Sequence, residues 1–141
     1  MAHVVVIGGG ARSGKSRYAE ERAALHAGER RFFATAVAFD DEMRARVAAH
    51  QRDRGERFVT VEVPDALEEA LRDCAGASVV VIDCLTLWLT NLLLAGLSDA
   101  EIEARVEGLV AALHAVPCEV LIVTNEVGMG IVPEHALARR F

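Results

Sequence analysis

Residues 9 to 16 read Gly9-Gly10-Ala11-Arg12-Ser13-Gly14-Lys15-Ser16. A glycine, four residues and then Gly-Lys-Ser is the spacing of a loop that wraps phosphates with its backbone N–H groups. The glycines admit the backbone to the phosphate oxygens where a Cβ would stand in the way. In such a loop Lys15 reaches the β and γ phosphates and the Ser16 hydroxyl ligates Mg²⁺, while the helix that follows points its positive end at the anion. Arg12, inside the loop, either touches a phosphate or is merely solvated. The ligand this pattern predicts is a nucleoside triphosphate, ATP or GTP. A second candidate is Asp83, which ends the apolar run 79–82. An acid in that position holds Mg²⁺ directly or through water in proteins with a phosphate loop; it can equally be the N-cap of a helix that starts at Leu85. The third candidate is His50, on the uncharged side of an otherwise polar helix, where it is either a partly buried histidine or a catalyst. His3, His26, His114 and His135 show neither metal spacing nor a paired acid.

These residues need elements to hold them. The apolar run 4–7 is a strand leading into the loop, and a helix over 15–26 follows, with Gly28 placed to end it. A second strand is expected over 32–37. Asp40, Asp41 and Glu42 open a helix over 40–55 that carries Arg44, Arg46, Arg52 and Arg54. Only Met43, Val47 and His50 share a narrow face of it, so it is expected to be weakly held and free to move. The four arginines are either its solvated face or a contact for a phosphorylated substrate. A half-buried strand over 58–63, a short helix with Leu67, Ala70 and Leu71 facing inward, and a continuous apolar strand over 78–83 come next. Helix 85–94 is followed by a capping box, Ser98 with Glu101, that starts a helix to about residue 114. The last apolar strand spans 118–124 and leads to Asn125. Apolar strands alternating with helices give an α/β fold with a mostly parallel sheet covered on both faces. Ligands of such sheets sit at the carboxyl ends of the strands, where the loop, Asp83 and Asn125 all fall.

The 141 residues suffice for one domain, 1–141, with a sizeable core. A net charge of −6 argues against nucleic acid or an anionic membrane as the main partner. The longest apolar stretch, 84–97, falls short of the roughly 20 residues of a membrane span. The first residues lack a secretory pattern, so a cytoplasmic protein is expected. Cys74, Cys84 and Cys118 lack the close pairing of a zinc or redox site and are expected to be buried thiols.

The motifs together resemble one family. The loop with Arg17, the segment Ala34-Thr35-Ala36 followed by Asp41-Glu42-Met43 and by Arg46-Val47 with His50, the stretch Asp83-Cys84-Leu85-Thr86 through Asn91-Leu92, and the run Val123-Thr124-Asn125-Glu126-Val127-Gly128-Met129-Gly130-Ile131-Val132-Pro133 look like the bifunctional adenosylcobinamide kinases and adenosylcobinamide-phosphate guanylyltransferases of cobalamin biosynthesis. The resemblance covers nearly the whole chain, and the last run is its most specific part. It implies a P-loop NTPase-like three-layer sandwich that phosphorylates the aminopropanol hydroxyl of adenosylcobinamide. GMP is then transferred from GTP to adenosylcobinamide phosphate through a guanylylated histidine, giving adenosyl-GDP-cobinamide. By match of the Arg-Val-x-x-His segment that histidine is His50. GTP and ATP are the implied substrates, Mg²⁺ the implied cofactor and a homotrimer the implied assembly. The kinase step needs the γ phosphorus at the acceptor and the transferase step needs the α phosphorus at His50, so helix 40–55 is expected to swing. Family members continue past Phe141, so the sheet is expected to lack its C-terminal strand. Two alternatives stay open: a P-loop kinase of another small molecule with no covalent nucleotidyl-enzyme, and an inactive nucleotide-binding fragment. A GTPase switch is disfavoured, because Asn125 is followed by Glu126 and Val127 rather than Lys and Asp, and no glycine lies three residues after Asp83.

Overall fold

The computed structural model describes residues 3–10, 13–125 and 136. Among the described residues the elements run β1 His3–Gly9, α1 Lys15–Ala23, β2 Glu29–Ala34, α2 Asp41–Arg54, β3 Val59–Glu62, α3 Leu67–Arg72, β4 Ala77–Asp83, α4 Leu85–Leu94, α5 Asp99–Ala115 and β5 Glu119–Asn125. The strands form one sheet in the order β1-β5-β4-β2-β3, and every pair is parallel. The α/β fold with a parallel sheet is as the apolar strand runs require. Loop, Asp83 and Asn125 share one end of it, since Gly9 pairs with Asn125 and Asp83 with Val123.

Strand periodicity decides which face each residue serves. Val79 and Val81 of β4, Leu121 and Val123 of β5 and Phe32 of β2 pack with Ala19 and Ala23 of α1. The alternate residues, Val80, Ile82, Val120, Ile122 and Phe33, join Leu67 and Leu71 of α3, Trp88 and Leu92 of α4, and Leu109 and Ala112 of α5. Asp83 continues the series 79, 81 and so belongs to the α1 face. Inward-facing Leu67 and Leu71 on α3 and the capping box of Ser98 and Glu101 on α5 form as expected.

Two boundaries move for identifiable reasons. Helix α1 stops at Ala23 rather than 26, because the chain closes a turn whose carbonyls are taken by Arg30: Nε donates to His26 O at 2.8 Å and Nη2 to Ala24 O at 3.1 Å. Strand β2 spans 29–34 rather than 32–37. Arg30 and Arg31 enter the strand because their guanidinium groups find backbone carbonyls, Arg31 Nη1 reaching Asp73 O at 2.9 Å. All three cysteines are free, buried thiols. No described helix is long and apolar enough to cross a membrane.

Candidate active site

The glycine-rich run 9–16 joins β1 to α1. Gly9 lies where a Cβ would come within 2.7 Å of the Ser13 hydroxyl, and Gly14, with φ of 84°, occupies the left-handed region that glycine adopts without strain. Lys15 folds across the loop, its Nζ donating to the Gly10 carbonyl at 2.9 Å. Ala11 and Arg12 lie outside the described residues, as do Glu126 to Pro133 of the family-specific run.

One helical turn of α1, the carboxyl ends of β2 and β4 and the last turns of α2 enclose a cavity of about 200 Å³. Ser16, Asp83, His50, Glu20, Arg54 and Val47 are among its lining residues. Three candidates from three separate elements therefore meet in one space, with Lys15 adjacent. Burial pushes the Asp83 carboxyl above the usual carboxylate range, opposed by a hydrogen bond from the Ser16 hydroxyl and by the charges of Arg54, Lys15 and His50. Asp83 is not a helix cap: the residue ahead of α4 is Cys84, and no side chain caps that helix. A hydroxyl and a carboxylate side by side are hard oxygen donors that suit Mg²⁺. Among the described residues no group of three or more His, Cys, Asp or Glu could hold a metal.

Two further charged residues, Arg54 and Glu20, line the cavity. Arg54, read from sequence as part of a solvated face or a substrate contact, is instead the one buried residue of α2, 6% exposed. Its guanidinium stacks 3.8 Å from the centre of the Phe32 ring, and Nε reaches Thr60 Oγ1 at 3.4 Å. Burial lowers its pKa while Glu20 and Asp83 oppose that. Glu20 is half-buried, and burial raises its carboxyl against the pull of Arg54, Arg57 and His50. Spacing is the signal that could have found both: Glu20 is four residues after Ser16, and Arg54 four after His50, so each shares a helix face with a recognised candidate. Arg44 and Arg46 are the solvated face expected of α2, each paired with an acid of its own helix, Asp41 and Glu42. Helix α2 is thus largely exposed along its first turns and anchored at its end by Arg54.

Behind the cavity lies a network of buried polar groups. Thr35 Oγ1 donates to Cys84 O at 2.8 Å and accepts from Cys84 N at 2.9 Å. Asn91 Nδ2 donates to Thr35 O at 2.8 Å, and Thr86 Oγ1 accepts from the side chain of Asn125 at 3.1 Å.

Comparison with known proteins bears on the fold and the family. The RadB recombinase superposes with a TM-score of 0.55 over 98% of this chain and 70% of its own, at 16% identity, a likeness of fold alone. Bifunctional adenosylcobalamin biosynthesis protein CobP of Pseudomonas aeruginosa is 44% identical over 134 residues, which are 94% of this chain and 77% of that protein. Its counterpart CobU of Escherichia coli is 40% identical over an alignment of 151 residues, covering 98% of this chain and 83% of that protein. The family model for cobinamide kinase / cobinamide phosphate guanyltransferase matches residues 5–141. This chain therefore belongs to the cobinamide kinase / cobinamide phosphate guanyltransferase family.

Proposed function

We propose that one domain carries both reactions of the family and that His50 is the residue guanylylated on the way. The observation that carries this reading is the shared cavity: an imidazole on α2 faces the same space as Ser16 of the phosphate loop and Asp83 of β4. In the kinase reaction the aminopropanol oxygen of adenosylcobinamide attacks the γ phosphorus of ATP or GTP, and the bond to the bridging oxygen breaks. In the transferase reaction a ring nitrogen of His50 attacks the α phosphorus of GTP. A P–N bond forms, the α–β bridging P–O bond breaks and pyrophosphate leaves. An oxygen of adenosylcobinamide phosphate then attacks that phosphorus, the P–N bond breaks, and adenosyl-GDP-cobinamide departs with His50 restored.

Lys15 and the loop amides bind and orient the phosphates, replacing the water that would otherwise solvate their charge. Ser16 and Asp83 would hold Mg²⁺, which when bound supplies charge neutralisation at the phosphate oxygens. Arg54 fixes the end of α2, so a motion that brings His50 to the α phosphorus pivots there rather than moving the whole helix. A homotrimer in the cytoplasm is the setting that the resemblance implies.

The test supplies adenosylcobinamide, GTP and Mg²⁺ to the full chain and follows products by mass. The parent should form adenosyl-GDP-cobinamide, and His50→Ala should stop at adenosylcobinamide phosphate. Formation of the GDP product by a folded His50→Ala chain would refute the role of His50.

A further inference from the structure

Strand pairing between β2 and β4 ends at Ala34 and Asp83. One residue further along, the chain turns into α4: Cys84 O accepts the first helical bond, from Trp88 N at 3.2 Å, while the buried Cys84 N–H has left the ladder and must be satisfied elsewhere. A single side chain reaches both groups. Thr35 Oγ1 accepts from Cys84 N at 2.9 Å and donates to Cys84 O at 2.8 Å, while Thr35 N donates to Asp83 O at 3.1 Å. Thr35 is itself held. It is fully buried, and its carbonyl accepts from Asn91 Nδ2 at 2.8 Å, the same amide reaching Pro64 O at 2.9 Å. Every polar group of Thr35 is thus committed, and its branched Cβ leaves little rotamer freedom. The backbone that leaves Asp83 toward α4 is gripped from one residue.

We propose that Thr35 is the positioning residue for Asp83: by clamping the main chain of residues 83 and 84 it keeps the Asp83 carboxylate beside the Ser16 hydroxyl, where the pair holds a divalent cation on bound nucleotide. The inference rests on the reading of Ser16 and Asp83 as that pair. A threonine that only satisfied backbone groups would matter for stability and not for the cation. The clamp matters because Ser16 and the guanidinium of Arg54 line the same cavity as the carboxylate. Any slack in the backbone would let it turn to Arg54 and leave Ser16.

The experiment measures GTP affinity of the full chain by calorimetry, with Mg²⁺ and with a chelator, for the parent and for Thr35→Val, Thr35→Ser, Asp83→Asn and Thr35→Val combined with Asp83→Asn. Valine keeps the shape and removes the hydroxyl; if its melting curve shows an unfolded chain, Thr35→Ala replaces it. In the parent, Mg²⁺ should tighten GTP binding. The Mg²⁺-dependent gain should fall by about 10-fold in Thr35→Val, the usual cost of losing a partner that orients a metal-binding group. Affinity in chelator should stay within about twofold, serine should restore the gain, and adding Thr35→Val to Asp83→Asn should change nothing further. An undiminished Mg²⁺ gain in the valine chain, or equal loss in the serine and valine chains, would overturn the proposal. A parent that binds GTP with no Mg²⁺ gain would overturn it together with the metal role of Asp83, and a parent that binds no GTP would refute the nucleotide site itself.

Discussion

The two faces of the sheet are built differently. On one, α3, α4 and α5 cover the strands with Leu67, Leu71, Trp88, Leu92 and Leu109, all buried. Polar groups at the rim of that face are spent on sealing it: Trp88 Nε1 donates to Asp65 O at 2.7 Å, and Arg105 reaches Glu68 and Asp65 at 2.8 Å while lying over the Trp88 ring. On the other, α1 offers only Ala19 and Ala23 to the core, and α2 buries a single residue, the charged Arg54. Small side chains and a cation leave room for a cavity, and the acids that face it sit above their ordinary pKa through burial. The packed face supplies stability, and the thin face gives some of it up to keep charged groups desolvated and close together.

That contrast can be broken or sharpened by substitution. Trp88→Ala, on the packed face, should cost about 3–5 kcal/mol in denaturant unfolding, the range for large core residues. Arg54→Ala should cost less, about 2 kcal/mol, from the lost stacking on Phe32, and a loss as large as that of Trp88→Ala would mean the thin face is a second core. Asp83→Asn should act in the opposite direction, raising stability at pH 7 by about 1 kcal/mol, as relief of an active-site group commonly does. Its sign follows from linkage. The folded chain holds the Asp83 proton more tightly than the unfolded chain, so the carboxyl favours the fold at acid pH. That benefit is lost as pH rises through the ordinary carboxylate value toward the raised one. The variant's advantage in melting temperature should therefore grow as pH increases across this interval and level off above it. Arg44→Ala, which removes an exposed pair with Asp41, should change stability by less than about 0.5 kcal/mol.

Much of this was legible in the sequence, and the remainder has a physical explanation. The loop, the strand ending in Asp83, helix Leu85–Leu94 and the capping box depend on local spacing and on backbone rules that act within a few residues. The burial of Arg54 was not legible because helical periodicity assigns a face but does not say what covers it; the cover is Phe32 of β2, 22 positions away by their numbering. Thr35 carried no signal beyond its place in the resemblance, since its partners at Cys84 depend on which strands become neighbours. Strand order was not legible at all, because parallel strands joined by helices can neighbour one another in several arrangements with the same local pattern.

The central claim is that the imidazole in the cavity becomes covalently nucleotidylated. The most direct measurement mixes the full chain with Mg²⁺ and GTP radiolabelled at the α phosphate, denatures at alkaline pH and counts label on protein, with His50→Ala in parallel and circular dichroism on both. The parent should carry label that is lost on acid treatment, and His50→Ala should be folded and carry none. A folded parent that binds GTP yet stays unlabelled, or a His50→Ala chain labelled to the same extent, would contradict it.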